Sequence, residues 1–261
     1  MKPNILCVER RALSDVWGRK KLLWVYLLGN AVLIALAYGW LWIGEETVLE
    51  VLFSAVLALA VIGGALWLHA TALAAFHAEA GPLPVGLAWR RLPRFLPWAA
   101  LAVVGVALAV WLSGYAPKVT PWLASLFTLR LRTPVSPQQV DWIYPALLRG
   151  LGVVAVLALL PLASQAAGGG FSKGDALQLA ARPRYWLACA VLVLAGLYLP
   201  GRLVGWIPSF ESLAAQAASL AVRFGLAYLL AATGALTLAA VIGQLAGEMG
   251  KGGNDNAKPA A

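Results

Sequence analysis

Six long apolar runs, separated by short polar stretches, set the pattern of the chain. None shows the strict alternation of a half-buried strand, and most approach the roughly 20 residues a helix needs to cross a hydrocarbon core. They predict spans at about 21–43, 48–76, 95–112, 142–164, 185–199 and 213–245. Transmembrane barrel strands alternate polar and apolar residues, so the runs argue for helices. Three of the spans are entered through a basic segment rich in aromatics. Arg19-Lys20-Lys21-Leu22-Leu23-Trp24 leads into the first, Trp89-Arg90-Arg91-Leu92-Pro93-Arg94-Phe95 into the third and Arg182-Pro183-Arg184-Tyr185-Trp186 into the fifth. The expected fold is all-α: a polytopic membrane bundle of six transmembrane helices in three helical hairpins. Short basic amphipathic surface helices stand before spans 1, 3 and 5. Residues 1–245 make a single domain in this reading, and the Gly-rich, polar stretch 246–261 is a disordered tail.

The surface helices are read from side-chain spacing. Leu13, Val16 and Trp17 fall at i, i+3, i+4 and put one face of the first onto the membrane. Val85, Ala88, Trp89 and Leu92 form an apolar stripe on the second, beside Arg90, Arg91 and Arg94. Ser172 with Asp175 three positions on is a capping-box pattern that opens the third. In the longest connection, 113–140, Trp122, Leu123, Leu126 and Phe127 oppose Ser125, Thr128 and Arg132, which reads as an interfacial helix ended by Pro134 and Pro137. Pro93-Arg94-Phe95 matches Pro183-Arg184-Tyr185, a sign of an internal repeat. A pseudo-threefold bundle and a six-helix pack without symmetry both fit that plan.

Composition agrees with a membrane protein: 61% of residues are hydrophobic, 12% are charged and mean hydropathy is +0.79. A soluble domain carries about twice that share of charge. The net charge of +9 does not point to nucleic acid, because the basic residues gather beside the spans. Of the twenty Lys and Arg, only Lys118, Arg130, Arg132, Arg149, Arg202 and Arg223 fall on the side away from the termini. That bias predicts both termini in the cytoplasm. Abundant Ala and scarce Lys suggest a bacterial chain, hence a multi-pass protein of the plasma (inner) membrane. Cys7 and Cys189 are too differently placed to pair. The first apolar run is too long for a cleaved signal and reads as a retained span.

Candidate chemistry is sparse. Glu50, Arg149 and Arg223 are the charges nearest the bilayer, each near the start of an even-numbered span. Two readings stand: the three meet in an outer-leaflet polar pocket, or each reaches separately to the headgroups. Glu46, Glu50 and Ser54 share one stripe, and Gly63-Gly64 permits close backbone approach. Asn30 is expected to bond a neighbouring helix. His69 and His77 share a face but lack the further ligands a metal site needs, so no metal, cofactor or catalytic set is predicted. Gly168–Asp175 lacks the Gly-Lys-Ser/Thr order of a phosphate loop. The basic residues expected to bind anionic headgroups are Arg19, Lys20, Lys21, Arg90, Arg91, Arg94, Arg182 and Arg184.

The basic aromatic lead-ins and the Ala/Leu/Gly-rich hairpins, over roughly residues 10–245, resemble the six-span membrane domain attached to some bacterial glycerophosphodiester phosphodiesterases and the uncharacterised stand-alone membrane proteins like it. No phosphodiesterase catalytic domain and no metal-binding Glu/His set accompany that pattern here, so the resemblance implies no hydrolase activity. The functional expectation is an integral membrane scaffold or accessory protein that binds lipid or a membrane partner. A transporter or channel component for a small molecule or lipid is the alternative, and a lipid-active enzyme ranks behind both.

Overall fold

The computed structural model describes residues 5–44, 46–77, 83–169, 171–209 and 212–255. Among them every regular element is helical: α1 (Ile5–Gly18), α2 (Lys20–Trp40), α3 (Val48–Ala75), α4 (Val85–Ser113), α5 (Ala116–Leu131), α6 (Pro137–Gly168), α7 (Lys173–Ala180), α8 (Pro183–Val193), α9 (Leu199–Gly205) and α10 (Leu213–Asp255). One turn of π-helix, Leu194–Tyr198, joins α8 to α9 without a break. Six helical stretches are long and apolar enough to cross a membrane: 20–40, 48–75, 85–113, 140–168, 183–205 and 213–249. The chain is thus a polytopic helical membrane bundle.

The boundaries correct three expectations. The basic segment before span 3 is not a separate surface helix, because α4 runs unbroken from Val85 through Pro93 and Pro97 to Ser113. Each proline removes one backbone donor, but no glycine lies between Trp89 and Phe95 and the helix continues through the basic residues. Span 5 does not stop near Leu199; the π-turn carries it on to Gly205. The tail does not begin at Ala246, since α10 continues to Asp255; residues 256–261 lie outside the described set. The helix expected in the 113–140 connection is found as α5. It ends at Arg132, whose left-handed φ of 54° stops the helix. Pro137 starts α6 instead of closing α5.

Where one domain was expected, packing groups the chain into two compact units, residues 1–95 with 162–261, and residues 96–161. In the first unit α10 is the central element, packed by α1, α2, α3, α7, α8 and α9. Its stretch from Ala232 onward supplies the core residues Ala232, Leu236, Ala239, Ala240, Val241 and Ile242. Hairpin α2–α3 closes with Leu33 over Gly64, whereas Gly63 faces no neighbour. Hairpin α8–α10 closes on glycine: a Cβ on Gly196 would stand 3.3 Å from Gly234 Cα. The π-turn surrounds that contact, which places the extra residue where two backbones touch. Helix α1 buries Val8, Ala12 and Val16 against this unit, at i, i+4, i+8, while Leu13 and Trp17 remain exposed. Of the three residues expected to face the membrane, Val16 packs inward, while Leu13 and Trp17 stay outside the packed face. Gln244 Nε2 donates to Asp15 Oδ2 (2.6 Å), fixing α1 on α10.

In the second unit α4 and α6 approach through small residues, with Gly152 set against Ala109 and the Val106 backbone. Helix α5 buries Ala116, Thr120 and Ala124, and Thr120 Oγ1 donates to Asp141 Oδ1 (2.5 Å). Cys7 and Cys189 are both free.

Candidate polar sites at the helix ends

Glu50 spends its carboxylate on its own helix. Thr47 Oγ1 accepts from the Glu50 N–H, and Glu50 Oε2 accepts from the Thr47 N–H (2.8 Å) and the Glu46 N–H (3.0 Å). This is a reciprocal capping box that satisfies orphan donors at the start of α3. Its signal in the sequence is Thr47-Val48-Leu49-Glu50, which the polar stripe through Glu46, Glu50 and Ser54 overlies. Ser54 on that stripe accepts from Trp40 Nε1 (2.6 Å), across the hairpin.

Arg223 is likewise held by the fold. It is 8% exposed, and its guanidinium donates to Ser219 O (3.2 Å), Val204 O (3.4 Å) and Leu203 O (3.5 Å). The last two carbonyls belong to the C-terminal turn of α9, where helix geometry leaves acceptors unfilled and the partial charge is negative. Glu50 and Arg223, both of the first unit, thus bond backbone groups and not each other; each neutralises a helix end. Arg149 lies in the second unit and is exposed on α6.

At the ends of the spans nearest the termini the basic residues divide. Lys20, Lys21, Arg90, Arg94 and Arg182 are exposed and Arg184 is half-buried. Arg19 turns inward, where Nη1 donates to Ala75 O (2.8 Å) at the C-terminus of α3 and the guanidinium covers the Phe76 ring at 5.3 Å. Arg91 also turns inward. At the start of α4 the buried positions are Pro84, Ala88 and Phe95, and Arg91 falls on that stripe. Its Nη1 is buried without an acceptor. Below it lies Gly169, whose φ of +69° and missing side chain let the guanidinium rest on the backbone; a Cβ there would stand 2.2 Å from Nη1.

Beside Gly169 the His77 ring fills the space a side chain at Gly168 would need, 1.8 Å from the position of its Cβ. His77 is 5% exposed, shares a hydrogen bond with Ser164 (Nε2 to Oγ, 2.9 Å) and stacks on Phe171 with ring centres 5.4 Å apart. Burial, aided by the nearby Arg91 charge, pushes the His77 imidazole down to about 4, so the ring is neutral near pH 7. The acid next to His77 in sequence, Glu79, lies outside the described residues. His69 stands apart from this cluster; its Nε2 lies 3.3 Å from Tyr26 Oη, and Nδ1 faces Ala65 O at 2.8 Å. Asn30 bonds within its own helix, Nδ2 donating to Tyr26 O (2.8 Å), not to a neighbouring helix as expected.

The capping box predicted at Ser172 is present: Ser172 Oγ accepts from the Asp175 N–H (3.1 Å), and Asp175 Oδ2 accepts from the Ser172 N–H (2.9 Å). Those bonds hold the exposed Asp175 carboxyl below its usual range. The other buried polar atom without a partner among the described residues is Glu9 Oε1 on α1, and burial raises that carboxyl. Among the described residues no group of three His, Cys, Asp or Glu side chains is placed to hold a metal ion. No known family, curated protein or solved structure matches the chain.

Proposed function

We propose that this is an integral membrane scaffold or accessory protein of a bacterial inner membrane, with both termini cytoplasmic and its exposed basic residues set against anionic headgroups. The observation that supports this reading is how the polar groups inside the spans of the first unit are used. Asn30 and Thr71 bond back to carbonyls of their own helices, at 2.8 Å each. Thr237 does the same at 2.7 Å. Trp40 bonds Ser54 across a hairpin, and Tyr228 Oη donates to Leu27 O. A permeation path needs polar groups that a solute can engage near mid-membrane; these are occupied by the fold itself. Lys20, Lys21, Arg90, Arg94 and Arg182, by contrast, are exposed at one end of the spans.

The test is to purify the tagged protein from native membranes in a mild detergent and identify what accompanies it by mass spectrometry. A stoichiometric membrane protein, or selective retention of anionic lipid, is the expected result. Solute uptake by reconstituted vesicles that depends on this protein overturns the scaffold reading in favour of transport.

A further inference from the structure

We infer that Arg91, seated on Gly169 beside His77, is a discrete binding site for a phosphate-type oxyanion. The inference deepens the lipid-facing part of the function proposed above and rests on it. Three observations carry it.

The first is direction. Arg90 and Arg94, its basic neighbours on α4, are exposed, whereas Arg91 shares the inward stripe with Ala88 and Phe95. A merely headgroup-seeking arginine has no reason to turn inward.

The second is the missing acceptor. A guanidinium offers five donors, and burying one without an acceptor forfeits the water it leaves behind. Arg19 and Arg223, two other inward arginines of the unit, both find helix-end carbonyls. Among the described residues Arg91 Nη1 finds none, and it is buried.

The third is the seat. Gly169 is held at positive φ beneath Nη1, and Gly168 makes room for the His77 ring. Any larger residue at either position would collide with these side chains. Gly169 follows the C-terminus of α6, yet Nη1 makes no bond to it; among the described residues the nearby Ser164 hydroxyl and neutral imidazole add no negative charge. The described carboxylate nearest to Gly169 in sequence, Asp175, is consumed by its capping box.

A positive, planar donor that meets no carboxylate among the described residues calls for an anion, and a phosphate oxygen pair matches the guanidinium fork better than a point charge does. Arg91 lies one helical turn before Phe95, where the uncharged run of α4 begins, which is the depth of headgroup phosphates. The phosphate belongs either to an anionic lipid or to a free anion. The two share one chemistry and separate by experiment.

The full-length protein is placed in phosphatidylcholine nanodiscs with or without phosphatidic acid, and bound lipid is measured by native mass spectrometry. Inorganic phosphate is titrated in parallel and read by thermal shift. Wild type, Arg91→Met, Arg91→Lys, Gly169→Ala and the double variant Arg90→Gln/Arg94→Gln are compared. Wild type is expected to retain phosphatidic acid or to respond to phosphate. Arg91→Met and Gly169→Ala should lose at least about tenfold in affinity, roughly the value of one charged hydrogen-bonded contact. Arg91→Lys should fall between, because it keeps the charge and loses the fork; it also serves if Arg91→Met does not yield folded protein. The double variant should stay within about twofold of wild type. Response to phosphatidic acid alone assigns the anion to lipid, and response to inorganic phosphate assigns it to solution; both support the site. Equal losses at Arg91 and at Arg90/Arg94 overturn the site and leave a diffuse basic surface, with the lipid-facing function intact. Wild type that binds neither probe overturns the site and the lipid-facing function together.

Discussion

Arg223 and Arg91 are the same side chain in the same unit, each turned inward near the end of a span, yet their surroundings differ. Arg223 meets the open carbonyls of the α9 C-terminus and is held by three acceptors. Arg91 meets a glycine backbone, a neutral imidazole and a phenyl ring further on, and among the described residues Nη1 finds no acceptor. An inward arginine is therefore not one kind of feature. Where a helix ends against it, it is a cap that belongs to the fold. Where it rests on a helix end without bonding it, as Arg91 Nη1 does just past the C-terminus of α6, the donor is left, on the inference above, for something outside the chain. Arg19, bonded to Ala75 O, sides with Arg223 and shows that capping is the common outcome here.

The Arg91 surroundings can be disturbed most strongly through His77. Its imidazole, ordinarily near 6.5, is lowered to about 4 in the folded protein. The unfolded chain therefore binds more protons between those values, so stability is complete above pH 6.5 and is lost as pH falls toward 4. The fall corresponds to about 3 kcal/mol. Glu9, whose carboxyl is raised by burial, acts in the opposite direction and gains stability on acidification. The decisive quantity is the difference between wild type and His77→Gln, which keeps a partner for Ser164. Thermal unfolding midpoints in detergent, taken from neutral pH down to about one unit above the lowered imidazole value, should fall for wild type and flatten in the variant. Parallel curves would mean that His77 is not held neutral by this packing.

Gly168→Ala tests the seat sterically. The new methyl would stand 1.8 Å from His77 Cδ2, and the ring is pinned by Ser164 on one edge and stacked on Phe171. Overpacking of this kind costs about 2–3 kcal/mol. Gly201→Ala, where a Cβ meets nothing within 4 Å, should be nearly silent and is the control. Equal midpoints for the two variants would show that the space beside Arg91 is loose.

Much of this frame is legible in the sequence, because apolar length and basic punctuation report directly on a bilayer. The six spans, the α5 helix and the Ser172 capping box follow from local residues. Which face of a helix turns inward does not. Leu13 and Trp17 make the more conspicuous apolar face of α1, yet Val8, Ala12 and Val16 pack, because smaller side chains let α1 approach α10. Arg91 is indistinguishable from Arg90 and Arg94 as a letter in a basic segment. Only the continuous helix through Pro93 fixes its register on the buried stripe. Arg223 stands out in the sequence for lying near the bilayer, but its partners are backbone carbonyls, which no residue type announces.

Arg223→Met removes the cap and leaves the Leu203 and Val204 carbonyls short of a donor. The 3.4–3.5 Å bonds are long, so about 2 kcal/mol is expected, at the middle of the range for a buried unsatisfied group. Arg223→Lys should recover part of it, since an ammonium can still reach carbonyls. The same measurement on Thr47→Ala gives a scale for an ordinary exposed cap, about 1 kcal/mol.

The smallest expected effect is the one that decides the comparison. Arg91→Met removes a buried donor that has no acceptor and puts a flexible apolar side chain beside Phe95 and Ala88, so the fold gives up no bond at Nη1. In detergent without phosphate or anionic lipid its stability should lie within about 0.5 kcal/mol of wild type, or slightly above it. Phosphatidic acid should then raise the midpoint of wild type and of Arg223→Met but not that of Arg91→Met, because a ligand stabilises only the form that binds it. A loss near 2 kcal/mol in the lipid-free measurement, the size expected for Arg223→Met, would mean that the fold depends on both guanidinium groups equally. The two ends of the unit would then obey one rule, with no charge left over for a ligand.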